Sequence, residues 1–283
     1  MELQELCEGF YSKGLDFDLI GHTSNTLYDP NYTVERVVST RKLTRFEIKD
    51  NIIYSECGVP VRKLANDAVA EGILGFEGLV DLPGTVSAAL YGNASCYDCS
   101  ISELLVEATV LTGDGDLEIV GPGWFAFAKR SSALKRKEKQ AVIISVLLRA
   151  DRGSKADVIK QAVFNHNKRK QTQPPAQGTL GSVFGNEGRP SLLNLVIACI
   201  TKIYALLLKY TGGSDIEKKR KHLTFCLLRA KDVEPYVHHW NCYWWRDDNA
   251  HSLFWKYVRL HRMMFTRSEF EIEIKHNSNF KIP

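Results

Sequence analysis

The order of apolar and polar positions divides the chain into short strands and amphipathic helices. Leu3, Leu6, Cys7, Phe10 and Tyr11 recur at helical spacing, so residues 3–13 are expected to form a helix ended by Gly14. Phe17–Ile20 then reads as a short strand. Residues 34–57 carry several more, and the alternation Arg45-Phe46-Glu47-Ile48-Lys49 followed by Asp50-Asn51 predicts a hairpin. A helix is expected over residues 61–71, with Leu64, Ala68 and Val69 on one face. Residues 104–120 read as a hairpin turning at Gly113-Asp114-Gly115, and Val142–Leu148 as an apolar strand. Residues 152–170 follow as a helix with Val158, Ile159, Ala162 and Val163 on its apolar side. The first two-thirds is therefore α+β.

The last third is less regular. Leu192–Leu208 is a long apolar run interrupted by Asn194, Thr201 and Lys202. It lies at the short limit for a membrane span and is read as a buried helix, or one at a subunit contact, with no integral membrane association. Ile216–His222 (IEKKRKH) reads as a solvated face or turn. His238–Asp248 (HHWNCYWWRDD) has the composition of a stacking surface for a base or sugar and equally of a core. Residues 250–264 are expected to form the last helix. Glu269–Lys275 alternates as one strand.

At 283 residues the chain is long enough for two domains, and its 44% hydrophobic and 25% charged content is ordinary for a soluble protein. The net charge of +4 is spread out and does not imply nucleic-acid binding. The seven cysteines are scattered, and Met1-Glu2-Leu3-Gln4 does not open a signal peptide, which together predict reduced thiols and a cytoplasmic location. Cys96-Tyr97-Asp98-Cys99 has the spacing of a redox or metal pair. No second pair completes a zinc site, so the pair is read as structural and no metal is expected. His238, His239 and His251 fit no zinc spacing either.

Chemistry concentrates in residues 72–97, GILGFEGLVDLPGTVSAALYGNASCY. Glycines at 72, 75, 78, 84 and 92 mark backbone that turns sharply or approaches another group closely. Pro83-Gly84-Thr85 reads as a tight turn opening a short helix from Val86, whose first amides are a natural seat for a diphosphate. A glycine-rich structural loop has the same composition.

The run PGTVSAALYGNASCY resembles the PGTVGGA…NAG.YG signature of the UDP-N-acetylenolpyruvoylglucosamine reductases, FAD-dependent enzymes of peptidoglycan precursor synthesis. Three further segments resemble that family in the same order: GHTSN at 21–25, KRSSALK at 129–135, and QP…GSVFGN across 173–186. The resemblance implies a two-lobed FAD-binding fold of the reductase/vanillyl-alcohol-oxidase type, α+β, with a remodelled C-terminal substrate region. It divides the chain at 1–172 and 173–283, the first part split into a small lobe to about residue 56 and a larger one from 57. Strands that the family carries ahead of the first helix have no counterpart here, so a reduced small lobe is expected.

By the same resemblance, Gly21, His22, Thr23, Ser24 and Asn25 form the loop that wraps the FAD pyrophosphate, His22 and Thr23 standing where the family has glycines. Pro83, Gly84, Thr85, Val86, Ser87, Asn93 and Ser132 are further cofactor-binding positions. Arg130 matches the arginine that stabilises negative charge developing on the substrate, with Lys129 where the family has tyrosine. Ser182 matches the general acid that protonates the enolpyruvyl alkene. Glu273 matches the glutamate that assists it, with Glu271 an alternative and an edge strand with outward carboxylates a third reading. NADPH is the implied donor and a nucleotide-sugar the implied substrate. Two other functions remain open: a flavoprotein acting on another sugar nucleotide in surface-polysaccharide synthesis, and an inactive FAD-binding module. For His22 the two readings are a phosphate contact and, from flavoenzymes with histidine in this loop, a covalent link to the flavin.

Overall fold

The structure, a computed structural model, describes residues 2–173, 178–186, 188–211, 213–239, 241–245 and 247–277. Pro174 and Pro175 of the sequence motif, Glu187 and Trp240 lie outside the described residues. The chain forms two compact units, Met1–Ser24 with Thr33–Thr172, and Asn25–Tyr32 with Gln173–Pro283.

The first unit is organised around one central strand. An antiparallel sheet runs in the order β4 (Phe46–Lys49), β5 (Ile52–Glu56), β10 (Ala141–Arg149), β8 (Leu105–Thr112) and β9 (Leu117–Val120). Its alternating side chains separate two cores. Val110, Ile143 and Leu148 pack on one side with Leu64 and Ala68 of α2 (Val61–Ala70) and Val158 and Ala162 of α5 (Lys155–Thr172). Leu111 and Val142, one residue along each strand, face the other way. They meet Leu3 and Cys7 of α1 (Glu2–Tyr11) and Val38 of β3 (Val37–Ser39), which pairs in parallel with β1 (Asp18–Ile20). Burial there pushes the Cys57 thiol up to about 12 and that of Cys7 to about 11, so both are apolar filling and not nucleophiles. Because β4 and β5 belong to the same sheet as β8–β10, the chain has no break near residue 56. Within α5 the inward stripe is Val158, Ala162 and Asn165, while the expected Ile159 and Val163 face water.

Residues 72–105 wrap this sheet. They contain α3 (Val86–Tyr91), the two-residue strands β6 (Ser95–Cys96) and β7 (Cys99–Ser100), and α4 (Ile101–Leu104). Cys96 stands opposite Cys99 across the Tyr97-Asp98 turn, and both thiols are raised by burial. Among the described residues no group of His, Cys, Asp or Glu is arranged to hold a metal.

The second unit has an aromatic core. Strands β14 (Val237–His239) and β15 (Cys242–Trp244) form a hairpin extended by β11 (Thr179–Ser182). Tyr243, fully buried, donates its hydroxyl to Ala250 O at 2.6 Å and packs against Phe254 and Tyr257 of α8 (Asn249–Met264). Tyr243 and Trp245 of the aromatic stretch from 238 are thus core and not a stacking surface, whereas His238, Asp247 and Asp248 are exposed, His238 with a pKa lowered by partial burial and Lys221. Strand β2 (Thr26–Tyr28) belongs here because it pairs in parallel with β18 (Glu273–Lys275), Leu27 opposite Ile274. The short ladders β12 (Phe184–Asn186) with β17 (Glu269–Phe270) and β13 (Arg189–Pro190) with β16 (Phe265–Thr266) complete the unit.

Three elements depart from the sequence pattern. The expected strand 269–275 is broken, since Glu271 N and Ile272 N both turn to Val183 O and only its two ends pair. Of the two readings of residues 216–222 the solvated face holds and the turn does not: they are the first turns of α7 (Ile216–Leu227), anchored by buried Phe225. The apolar run becomes α6 (Leu192–Tyr210), capped by Ser191, and it is not buried: Ile197 and Thr201 are its buried residues.

Candidate functional site

In the first unit two loops are pressed together. A Cβ on Gly21 would lie 2.6 Å from Thr85 Oγ1, and one on Gly84 would lie 3.1 Å from Ser24 Oγ. Gly84 also holds φ +105°, a conformation that only glycine adopts without strain. The loop 21–24 therefore sits against the turn 83–85, as two halves of a cradle must. Among the described residues the backbone amides of His22, Thr23 and Ser24 donate to no protein acceptor. Thr23 holds φ +53°, the left-handed conformation that turns successive amides toward a common centre and favours an anion. A β-branched residue is strained there. His22 is half-buried, with its pKa lowered by burial and then by Arg41, so the imidazole is neutral near pH 7.

The short helix contributes differently from its sequence reading. Its leading amides are occupied: Val86 N donates to Val59 O at 2.9 Å, Ser87 N to Cys57 O at 3.1 Å and Ala88 N to Thr85 Oγ1 at 3.4 Å. Ser87 Oγ donates to Cys57 O at 2.9 Å, and Val86 is fully buried. Thr85, Val86 and Ser87 thus fix the turn to the sheet, leaving the loop 21–24 as the source of open amides. Pro83 is exposed at the rim.

Asn93 and Ser132 hold a second wall. Asn93, at φ +45°, donates Nδ2 to Ala128 O at 2.8 Å and accepts from Ser100 Oγ at 3.1 Å. Buried Ser132 donates to Tyr91 O at 2.7 Å and accepts from Lys135 N. Between them Ala128 and Ser131 exchange backbone hydrogen bonds at 3.0 and 3.1 Å, so Lys129 and Arg130 form the tip of a tight turn. Arg130 takes φ +56°, and its carbonyl accepts Lys135 Nζ at 3.1 Å.

Arg130 has neighbours that its own stretch of sequence does not reveal. Cys96, raised by burial, is opposed by the positive charges of Arg169 and Arg130, and Arg169 also hydrogen-bonds its thiol. One turn back on α5, His166 Nδ1 meets Asp81 Oδ2 at 2.7 Å, and Lys168 Nζ stands 5.3 Å from the Tyr97 ring centre. Two guanidiniums flanking a neutral thiol make an electropositive spot suited to phosphate or carboxylate. The readable signal was spacing: Ala162, Asn165, His166 and Arg169 continue the inward stripe of α5 at i, i+3, i+4, i+7 with polar residues.

In the second unit Ser182 ends β11, half-buried, and its hydroxyl has no protein partner among the described residues. Asn25 ties the loop end to the closing segment, donating Nδ2 to Glu271 O at 3.2 Å and accepting from Glu273 N at 2.8 Å. Glu273 pairs with Lys275 Nζ at 3.0 Å. Glu271 donates its own amide to Val183 O at 2.8 Å, next to Ser182.

The glycine-locked cradle and the α+β framework around it are those of an FAD-binding fold. The FAD binding domain family matches residues 1–121. UDP-N-acetylenolpyruvoylglucosamine reductase of Caldicellulosiruptor bescii is 32% identical over 230 residues, 80% of this chain and 71% of that protein. Its counterpart from Caldicellulosiruptor saccharolyticus is 30% identical over 185 residues, 65% of this chain and 59% of that protein, so the chain spans under two-thirds of that relative's length. The crystal structure of UDP-N-acetylenolpyruvylglucosamine reductase from Thermus caldophilus superposes with a TM-score of 0.66 at 17% identity, covering 92% of this chain and 85% of that one, and establishes the shared fold. The chain belongs to the UDP-N-acetylenolpyruvoylglucosamine reductase family.

Proposed function

We propose that this chain reduces the enolpyruvyl ether of a UDP-sugar, with NADPH as donor, in cell-wall precursor synthesis. The observation that carries this reading is the cradle of open amides at His22–Ser24 against Gly84, in a chain of this family. Its residues fit the FAD pyrophosphate: two glycines at contact distance, a left-handed backbone position and a neutral imidazole at the rim. Bound FAD supplies the hydride chemistry between donor and alkene.

The chain's own groups supply binding, charge and the proton. Ser182, whose hydroxyl is not spent on a protein acceptor, gives its proton to the alkene carbon next to the one that receives hydride. Arg130, a permanent planar cation, stabilises the negative charge that develops on the substrate's carboxylate side. Glu273, held beside Asn25 by its backbone and ion-paired to Lys275, assists the protonation.

Anaerobic half-reactions test this. The purified yellow protein is expected to bleach with NADPH and regain colour with UDP-N-acetylenolpyruvoylglucosamine. Ser182→Ala should leave bleaching nearly intact and slow reoxidation by roughly 10²–10⁴-fold, the scale of one general acid. Equal slowing of both steps would make Ser182 a scaffold residue, and reoxidation only by a different sugar nucleotide would replace the proposed substrate.

A further inference from the structure

Helix α6 is built inside out. Its protein-facing positions are Asn194, Ile197, Ala198, Thr201, Tyr204, Ala205 and Leu208, a set that includes two polar side chains and two alanines. Its large side chains face water: Leu192 is 78% exposed, Ile203 60%, Leu206 67% and Tyr210 92%. At 100° per residue the outward apolar positions sweep roughly 160° of the helix, and Lys202 and Lys209 fall together along one edge of that arc. An ordinary surface helix does the reverse, burying its large aliphatics and showing polar residues. Small residues inward and aliphatics outward is the arrangement of a helix that faces lipid.

Three features choose a bilayer surface as the occupant. A convex ridge this wide is enveloped by a fluid apolar phase, whereas a rigid second copy meets a narrow strip of it. The surroundings are cationic: α7, which packs along α6, exposes Lys218 and Lys219, while the nearby Glu217 carboxylate is taken by Arg220 at 3.1 Å. The helix is also tied down at its start, Ser191 N and Oγ donating to Met264 O at 2.8 Å and Met263 O at 2.6 Å. Threading α6 through a membrane would pull the charged α7 into hydrocarbon, so the pair lies on the surface.

We propose that α6 seats the protein on an anionic lipid surface, its aliphatic ridge among the acyl chains and its lysines at the headgroup phosphates. The full-length flavoprotein is tested by flotation with phosphatidylglycerol/phosphatidylcholine vesicles and with phosphatidylcholine alone. Binding is expected to the anionic vesicles, weaker by roughly tenfold to the neutral ones, and weakened by about 0.5 M salt. Ile203→Glu with Leu206→Glu, both at water-facing positions, should cut partitioning at least about tenfold at unchanged circular dichroism and flavin content. Lys202→Glu with Lys209→Glu should reduce binding to the anionic vesicles alone. Failure of the unaltered protein to bind vesicles, or undiminished binding by the Ile203/Leu206 variant, overturns the proposal. A concentration-dependent dimer dispersed by that same variant, without vesicle binding, assigns the ridge to a second copy and overturns it equally.

Discussion

His261 makes the stability of the second unit depend on pH, and the size follows from its surroundings. The ring is 0% exposed, stacked 3.8 Å from Phe184 and 4.9 Å from Phe265, and neither nitrogen has a hydrogen-bond partner among the described residues. Burial, with a smaller contribution from the neighbouring Arg262 charge, lowers its pKa from 6.5 to about 4. Below pH 6.5 the unfolded chain takes up a proton that the native state refuses, so stability falls with falling pH and levels off below about 4. At 1.36 kcal/mol per pKa unit the full loss is on the order of 3 kcal/mol, with about 2 kcal/mol already gone at pH 5. His261→Phe removes both the titration and two unpartnered nitrogens. It should therefore add about 1 kcal/mol at pH 7 and considerably more at pH 5. Urea unfolding between pH 4 and 7.5 measures this through tryptophan fluorescence, which reports mainly on this unit because Trp244, Trp245 and Trp255 lie in it. The difference between the two proteins cancels the carboxylates that titrate in the same range. A difference that does not widen as pH falls would refute the reasoning.

Gly84→Val should abolish flavin retention while leaving circular dichroism intact, because φ +105° excludes valine and its Cβ meets Ser24 Oγ at 3.1 Å; full flavin in the purified variant would remove the cradle. Thr23→Gly should raise the melting point, by about 1 kcal/mol of relieved left-handed strain, without loss of flavin; a drop in stability would show the threonine to be unstrained. Arg130→Lys should slow substrate-driven reoxidation and spare NADPH-driven reduction, since an ammonium lacks the planar fork; unaltered kinetics in both would detach Arg130 from the substrate.

Local alternation was a faithful guide at the sheet edge, where β4 has one half-buried and one exposed face. The Arg45–Lys49 pattern gave the β4–β5 hairpin, with Lys49 opposite Ile52, and the Gly113–Gly115 turn joined β8 to β9. It failed where a distant group took over the backbone. Nothing in Glu269–Lys275 announces that Val183 O will draw two of its amides and break the strand. Periodicity also says which residues share a face but not which face is turned inward, so α6 read as buried or at a subunit contact. At the site, Gly84 and Ser24 were legible as motif, whereas Arg169 and His166 became neighbours of Cys96 and Asp81 only through the packing of α5. The occupied amides of Val86 and Ser87 were hidden too, because their acceptors, Val59 and Cys57, belong to another segment.

The strand β2 gives the molecule a history as well as a shape. Asn25–Tyr32 leaves the ribosome long before its partners are made: Asn25 binds Glu271 across 246 residues of chain. A nascent chain can assemble the sheet around β10 while β2 hangs unpaired, an early strand awaiting the closing one. A ladder between such distant segments is slow to form and exposes an open edge meanwhile. Chains cut short near residue 268 should consequently be held by chaperones or degraded, although every residue of the cradle has already been synthesised.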